Sequence, residues 1–195
     1  MDFEYITTSV PGPGTDEANW EVLCGCKCIG ECSAKERCEC LLGAEVYYCS
    51  DEKGFGVRAV RDIPRGTFVC EYVGEILNKD EVERRATSNH NHNYTLTVRE
   101  YSGGGITTTF VDPRYRGNLA RFINHGCEPN LSITIVRMGY TVPCIGLFAN
   151  RFISAGEEIC YDYGVSAFEG ENRKKCYCGF PSCRMFLPMS GTASE

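Results

Sequence analysis

The chain has 195 residues, 43% of them hydrophobic, which favours one main globular domain with appendages over two full domains. Its 26 acidic and 20 basic residues give a formal net charge of −6, which argues against direct nucleic-acid binding through phosphate contacts and suits a basic peptide partner. Fourteen cysteines fit either a secreted disulfide scaffold or an intracellular zinc protein. Residues 1–10 show no signal-peptide pattern and no apolar run approaches a membrane span, so zinc in a reducing compartment and no membrane partner are expected.

In chain order, residues 1–20 form a polar N-terminal extension, with Pro11-Gly12-Pro13-Gly14 read as a turn or linker. Residues 21–45 hold Cys24, Cys26, Cys28, Cys32, Cys38 and Cys40. Residues 46–165 read as a strand-rich body. Within it, β-branched and aromatic runs between turn residues predict strands at 57–60, 67–73, 94–98, 107–111, 131–136 and 145–149. Residues 102–105 predict a hairpin loop, and 80–87 a helix with Asp80 as N-cap. Residues 166–187 contain a second cysteine cluster, and 188–195 form a tail. The fold class expected is mainly β (α+β), with a few short helices.

Four segments carry chemistry. In Lys53-Gly54-Phe55-Gly56 the glycines can be a tight turn between strands or a place where backbone approaches a flat ligand; no third glycine and no helix follow, so it is not a dinucleotide fingerprint. Residues 117–130, GNLARFINHGCEPN, set Arg121, Asn124 and His125 in an apolar frame, which fits either a ligand-binding corner or a satisfied polar corner of a β fold. Tyr161 and Tyr163, two apart, point to one side of a strand; they are an ordinary aromatic pair or the wall of an amine channel. Cys176, Cys178 and Cys183 supply three of the four thiols that tetrahedral zinc requires. Cys70, Cys144 and Cys160 sit in apolar strand contexts, whereas Cys127 lies in a turn and is the natural fourth ligand.

In this order, together with Cys70 to Glu75 (CEYVGE), these segments resemble the SET-domain family of protein-lysine methyltransferases over residues 46–187. FVCEYVGEIL, VDPRYRGNLARFINHGCEPNL and CYCG carry the likeness furthest. The resemblance implies a fold of small β-sheets with a C-terminal pseudoknot, flanked by cysteine-rich zinc-binding segments before and after the core. It implies that Lys53, Gly54, Phe55, Gly56, Tyr94, Arg121, Asn124 and His125 bind S-adenosylmethionine. Tyr163 matches the family's catalytic tyrosine, and Tyr72 and Tyr161 would line the channel that admits the lysine. Cys127, Cys176, Cys178 and Cys183 would share one zinc. The implied activity is methyl transfer to a lysine amine, of histone H3 before other proteins, in the nucleus and on chromosomes, with histone tails and chromatin as partners. A methyltransferase of a non-histone protein and an inactive chromatin-binding module are the alternatives.

Three departures from the family stand out. Its pre-SET region holds nine cysteines around three zinc ions; here six N-terminal cysteines lead directly into the first SET strand. Either the second half of that region is missing, or Cys26-x-Cys28-x3-Cys32 is the second half and the first is lost. One or two zinc ions held by Cys26, Cys28, Cys32, Cys38 and Cys40 are expected, in a shortened pre-SET segment. Gly126 stands where the family usually has Ser, and glycine keeps the tight backbone. Tyr161 stands where other members carry Phe, which implies a product of mono- or dimethyllysine rather than trimethyllysine.

Overall fold

The computed structural model describes residues 3–15, 43–87, 94–137, 142–164 and 174–188. Cys24, Cys26, Cys28, Cys32, Cys38 and Cys40 lie outside the described residues. In chain order the elements are β1 (Glu4–Tyr5), β2 (Val10–Pro11), β3 (Ala44–Ser50), β4 (Gly54–Ala59), β5 (Phe68–Glu71), β6 (Glu75–Leu77), α1 (Lys79–Thr87), β7 (Leu96–Ser102), β8 (Gly105–Asp112), β9 (Arg116–Gly117), a 3-10 turn (Leu119–Phe122), β10 (Asn124–His125), β11 (Leu131–Val136), β12 (Cys144–Ala149) and β13 (Glu158–Tyr161). The architecture is mainly β and divided into small sheets, as the sequence predicts. Among the described residues no helix is long and apolar enough to cross a membrane.

The described residues fall into two compact units: those within Met1–Gly25, Glu71–Arg121 and Ile135–Ile145, and those within Cys26–Cys70, Phe122–Thr134 and Gly146–Glu195. The second contains the sheet β10-β13-β4-β3. Alternation in β4 drives it: Val57 and Ala59 are buried while Arg58 between them is exposed, so one face is apolar. Val57 pairs with Ile159 of β13, and both are fully enclosed. The sheet β11-β12-β5, buried through Leu131, Leu147 and Val69, lies mostly in this unit, and its strands carry the chain from one unit to the other.

The first unit holds the sheet β2-β6-β8-β7 and the short parallel pair β1-β9. Ser102 pairs with Gly105, closing the hairpin at the predicted position. Helix α1 is fastened to this sheet through Arg85. That guanidinium meets Glu81 Oε1 at 2.7 Å, Glu75 Oε2 at 2.9 Å and Asp112 Oδ2 at 2.9 Å, and lies 5.1 Å from the Tyr115 ring centre. All four charged groups are buried. One cation therefore holds carboxylates from α1, β6 and β8; Glu81 also pairs with Arg84, whereas Glu75 and Asp112 would be left as buried charges without Arg85.

Two expectations need correction. Asn78, not Asp80, caps α1: its Oδ1 accepts the Glu81 backbone N–H at 2.9 Å, and Asp80 lies in the first turn. Asn and Asp cap equally well, so residue type alone does not separate neighbours two positions apart. Of the turn-or-linker expectation for Pro11-Gly12-Pro13-Gly14 the turn holds, Thr15 N–H donating to Gly12 O at 3.2 Å, but Pro11-Gly12 is not linker. Val10 and Pro11 pair with Glu75 and Ile76, and Gly12 donates its N–H to Ile76 O at 2.8 Å. A Cβ on Gly12 would lie 2.8 Å from Ile76 O, so close approach of two backbones, rather than a free turn, is the use of this glycine. A two-residue strand has no alternation from which to recognise it.

Replacing Arg85 by Met is expected to lower unfolding free energy by about 3–5 kcal/mol, because the buried carboxylates of Glu75 and Asp112 lose their cation. Urea denaturation at neutral pH measures it.

Candidate active site and cysteine cluster

The second unit brings Lys53, Gly54, Phe55, Gly56, Asn124, His125, Tyr161 and Tyr163 together, and strand pairing is the reason. β13 runs antiparallel to β4 on one side and parallel to β10 on the other, with Asn124 opposite Cys160 and His125 opposite Tyr161. Two segments that the sequence singled out separately are thus neighbouring strands, and the glycine turn opens the third.

Asn130 fixes this pairing. It is fully buried; its Nδ2 donates to Glu157 Oε1 at 2.9 Å and to Glu158 O at 2.8 Å, and its Oδ1 accepts the Cys160 N–H at 2.8 Å. Its backbone N–H adds a bond to Cys160 O at 3.2 Å. The amide is satisfied on both sides, so its burial carries no unpaired polar group.

At the glycine turn, Gly54 has φ +70°, a conformation in which a side chain is strained. A Cβ on Gly56 would lie 2.9 Å from Asn124 Nδ2, 3.2 Å from Glu158 Oε1 and closer still to Cys49 Sγ. Beneath this turn Asn124 Nδ2 donates to Phe55 O at 3.2 Å and to Glu158 Oε1 at 3.1 Å, while Glu158 Oε2 pairs with Lys53 Nζ at 2.5 Å. Both amide hydrogens of Asn124 are committed inward, so its carbonyl oxygen is the atom left to meet a ligand. Glu158 was not singled out from the sequence. It is one glutamate of an adjacent pair, and only the fold shows that it orients two predicted site residues.

Tyr161, at the end of β13, is buried; Tyr163, just beyond it, is 37% exposed. Their ring centres are 4.8 Å apart, as the two-residue spacing predicts. The Tyr163 hydroxyl donates to Ile123 O at 2.8 Å, and its ring meets that of His125 at 5.4 Å. His125 Nδ1 accepts the Tyr163 N–H at 3.2 Å, and its Nε2 lies 3.3 Å from Cys127 Sγ and 3.2 Å from Arg184 Nη2. Burial holds the His125 pKa below its ordinary value, so the ring is neutral at pH 7.

In the first unit, the Arg121 guanidinium carbon lies 4.6 Å from the Tyr94 ring centre and 4.4 Å from that of Phe3. Tyr72 is buried, and its hydroxyl donates to Tyr94 O at 2.6 Å. Tyr72, Tyr94 and Arg121 therefore form one contiguous set within this unit.

Cys127, Cys176, Cys178 and Cys183 converge in the second unit, all four sulfurs within 4.8 Å of one another, and Cys127 and Cys176 are 3.9 Å apart. Four thiolates at about 2.3 Å from a tetrahedral zinc stand about 3.8 Å from each other, so this set can hold the ion. Backbone N–H groups of Arg184 and Met185 point at Cys127 Sγ and Cys183 Sγ, each at 3.3 Å, the donor pattern that thiolate ligands take. None of the eight cysteines among the described residues forms a disulfide. Cys70 and Cys160 are buried small side chains, as expected. Arg184, missed from the sequence, reaches from this segment to Asp162 Oδ1 at 2.6 Å.

Gly126 is tight for a specific reason. A Cβ there would sit 3.0 Å from Cys160 Cβ, closer still to its Sγ, and 3.3 Å from Phe180 Cε2. Glycine at 126 thus accompanies cysteine at 160. Gly126→Ser is expected to cost about 1–3 kcal/mol by overpacking. In a double-mutant cycle read by urea unfolding, Cys160→Ala should recover most of that loss, with coupling above about 0.5 kcal/mol.

Comparison with known proteins agrees with this geometry. The SET domain family model matches residues 54–164. The probable histone-lysine N-methyltransferase set-23 of Caenorhabditis elegans is 43% identical over 244 aligned residues, covering 100% of both chains. That alignment is longer than this 195-residue chain, so the relative carries residues for which this chain has no counterpart. The crystal structure of the methyltransferase domain of human histone-lysine N-methyltransferase SETMAR superposes with a TM-score of 0.76 at 32% identity, covering 96% of this chain and 90% of that one. Arabidopsis thaliana SUVH6, solved in complex with SAM, gives a TM-score of 0.61 at 34% identity over 74% of this chain and 32% of its own. With its glycine turn, paired Asn-His and Tyr-x-Tyr strands and four-cysteine cluster, the chain belongs to the SET-domain family.

Proposed function

We propose that this protein is a histone-lysine N-methyltransferase that transfers methyl from S-adenosylmethionine to a lysine amine. The observation that carries the reading is the parallel pairing of Asn124-His125 with Cys160-Tyr161, which gathers the glycine turn and both tyrosines in one unit. Set-23, related over its whole length, is named a probable histone-lysine N-methyltransferase. The net charge of −6 suits a basic histone tail, and the work of such an enzyme lies on chromatin in the nucleus.

S-adenosylmethionine, when bound, supplies an electrophilic methyl group on a positively charged sulfur. The protein's part is to hold, orient and exclude water. Lys53, Gly54, Phe55, Gly56, Asn124 and His125 form the cofactor-binding set of the second unit; Tyr94 and Arg121 form that of the first. The Asn124 carbonyl oxygen suits an ammonium group, because its own N–H groups already bond Phe55 and Glu158. A lysine amine titrates near ~10.4 in water and must arrive neutral to use its lone pair. Within the second unit, aromatic walls from Tyr161 and Tyr163 disfavour the ammonium by removing its hydration, and Tyr72 is the channel tyrosine of the first unit. The Tyr163 hydroxyl oxygen and Ile123 carbonyl, 2.8 Å apart, form a fixed pair of partial negative charges suited to a positively polarised methyl. The proton on the amine leaves to solvent, and the N–C bond forms as the S–C bond breaks. Catalysis by this design is alignment and electrostatics.

Two experiments test the reading. On core histones with a labelled methyl donor, the wild-type protein should transfer methyl and favour mono- or dimethyllysine. Tyr163→Phe should lose at least about a hundredfold in turnover, equivalent to about 2.7 kcal/mol, with little change in stability. Tyr161→Phe should keep turnover and shift mass-spectrometric products toward higher methylation. No transfer to any core histone, or an unchanged product profile in Tyr161→Phe, would count against these assignments.

We further assign one structural zinc to Cys127, Cys176, Cys178 and Cys183, with the N-terminal cysteines as a separate, partial pre-SET cluster. Elemental analysis should find zinc, and Cys183→Ser should lower its content by about one ion per chain, given one ion per four-ligand site. Chelation should make the segment around residues 176–183 susceptible to proteolysis, because ligand binding and local folding share one free energy. Intact zinc content in Cys183→Ser would refute the site.

A further inference from the structure

The N-terminal strand is held more firmly than its polar composition suggests. Glu4 and Tyr5 of β1 pair with Arg116 and Gly117 of β9; Glu4 N donates to Tyr115 O and Ile6 N to Gly117 O, each at 2.8 Å. An ion pair of 2.7 Å between Glu4 and Arg116 closes the same edge. Residue 3 is therefore held at a defined position next to a hydrogen-bonded strand. Its ring centre lies 4.4 Å from the guanidinium carbon of Arg121, whose other aromatic neighbour is Tyr94 at 4.6 Å. Phe3, Tyr94 and Arg121 are all half-buried and belong to the same unit.

Arginine is a long side chain that loses about 2 kcal/mol of rotamer entropy when held still. Two rings within cation–π distance already restrict it, whatever ligand comes later. From this we infer that Phe3 is a positioning residue for the S-adenosylmethionine site: it pre-sets Arg121, so that the cofactor meets an ordered guanidinium. The inference rests on the assignment of Arg121 to the cofactor site made above. It adds the N-terminal strand to that site as a working part.

The experiment uses the full chain with Phe3→Ala, Phe3→Leu and Phe3→Tyr. S-adenosylmethionine affinity is measured by calorimetry, methylation by its KM and kcat, and folding by the thermal midpoint. Leucine keeps the apolar bulk without the ring, so it guards against a variant that merely loosens the strand. Phe3→Ala and Phe3→Leu should each bind the cofactor about three- to tenfold more weakly. Their KM for it should rise in parallel, while kcat at saturating cofactor stays within about twofold of wild type, since saturation removes a binding defect. Phe3→Tyr should restore binding. Folded Ala and Leu variants with wild-type affinity would overturn the inference, as would a lowered thermal midpoint with affinity intact. Failure of the wild-type protein itself to bind S-adenosylmethionine would instead overturn the cofactor-site assignment, and this inference with it.

Discussion

The buried amide of Asn130 is the constraint on which the site depends. An unpaired amide in an apolar interior costs about 1–3 kcal/mol, so this side chain is stable only where all its partners are present. Those partners are Glu157, Glu158 and Cys160, within four residues along β13 and its approach. Satisfying them fixes the register of β13 against the loop that follows β10. With the register set, His125 stands opposite Tyr161, and the chain from Ile123 to Cys127 cannot slide. A one-residue slip would turn Tyr161 and Glu158 to the opposite side of the strand.

The same register connects the tyrosines to the cysteine cluster. His125 receives the Tyr163 N–H on one ring nitrogen and faces Cys127 with the other. Arg184, adjacent to Cys183, pairs with Asp162 beside Tyr163. Two routes therefore run from the sulfur cluster to the residue at the centre of the proposed chemistry. Both are short and both use charged or strongly polar groups. The C-terminal segment thereby shapes the site through hydrogen bonds as well as through any ion it holds.

In the first unit a different device is at work. Arg85 collects three buried carboxylates, and Arg121 is shared by two aromatic rings. The Arg85 cluster adds little stability over an apolar core of equal volume, because desolvation offsets the Coulomb gain. Each does restrict one arginine to one arrangement, which is what a site requiring fixed geometry needs.

Much of this was legible in local sequence. Alternation and β-branched runs located the longer strands from 54 onward but not the short β6, β9 and β10, two-residue spacing put Tyr161 and Tyr163 side by side, and Cys127 stood out among the cysteines because it lay in a turn. Those features depend on residues within a few positions of each other, where chemistry and period suffice. The strands β1 and β2, the cap at Asn78, the role of Glu158 beneath the glycine turn, the fit of Gly126 against Cys160 and the ring of Phe3 on Arg121 were decided only by the tertiary structure. Apart from the cap, each joins residues far apart in the chain, and no local pattern encodes which distant partner a carboxylate, a glycine or a phenyl ring will meet once the core has closed.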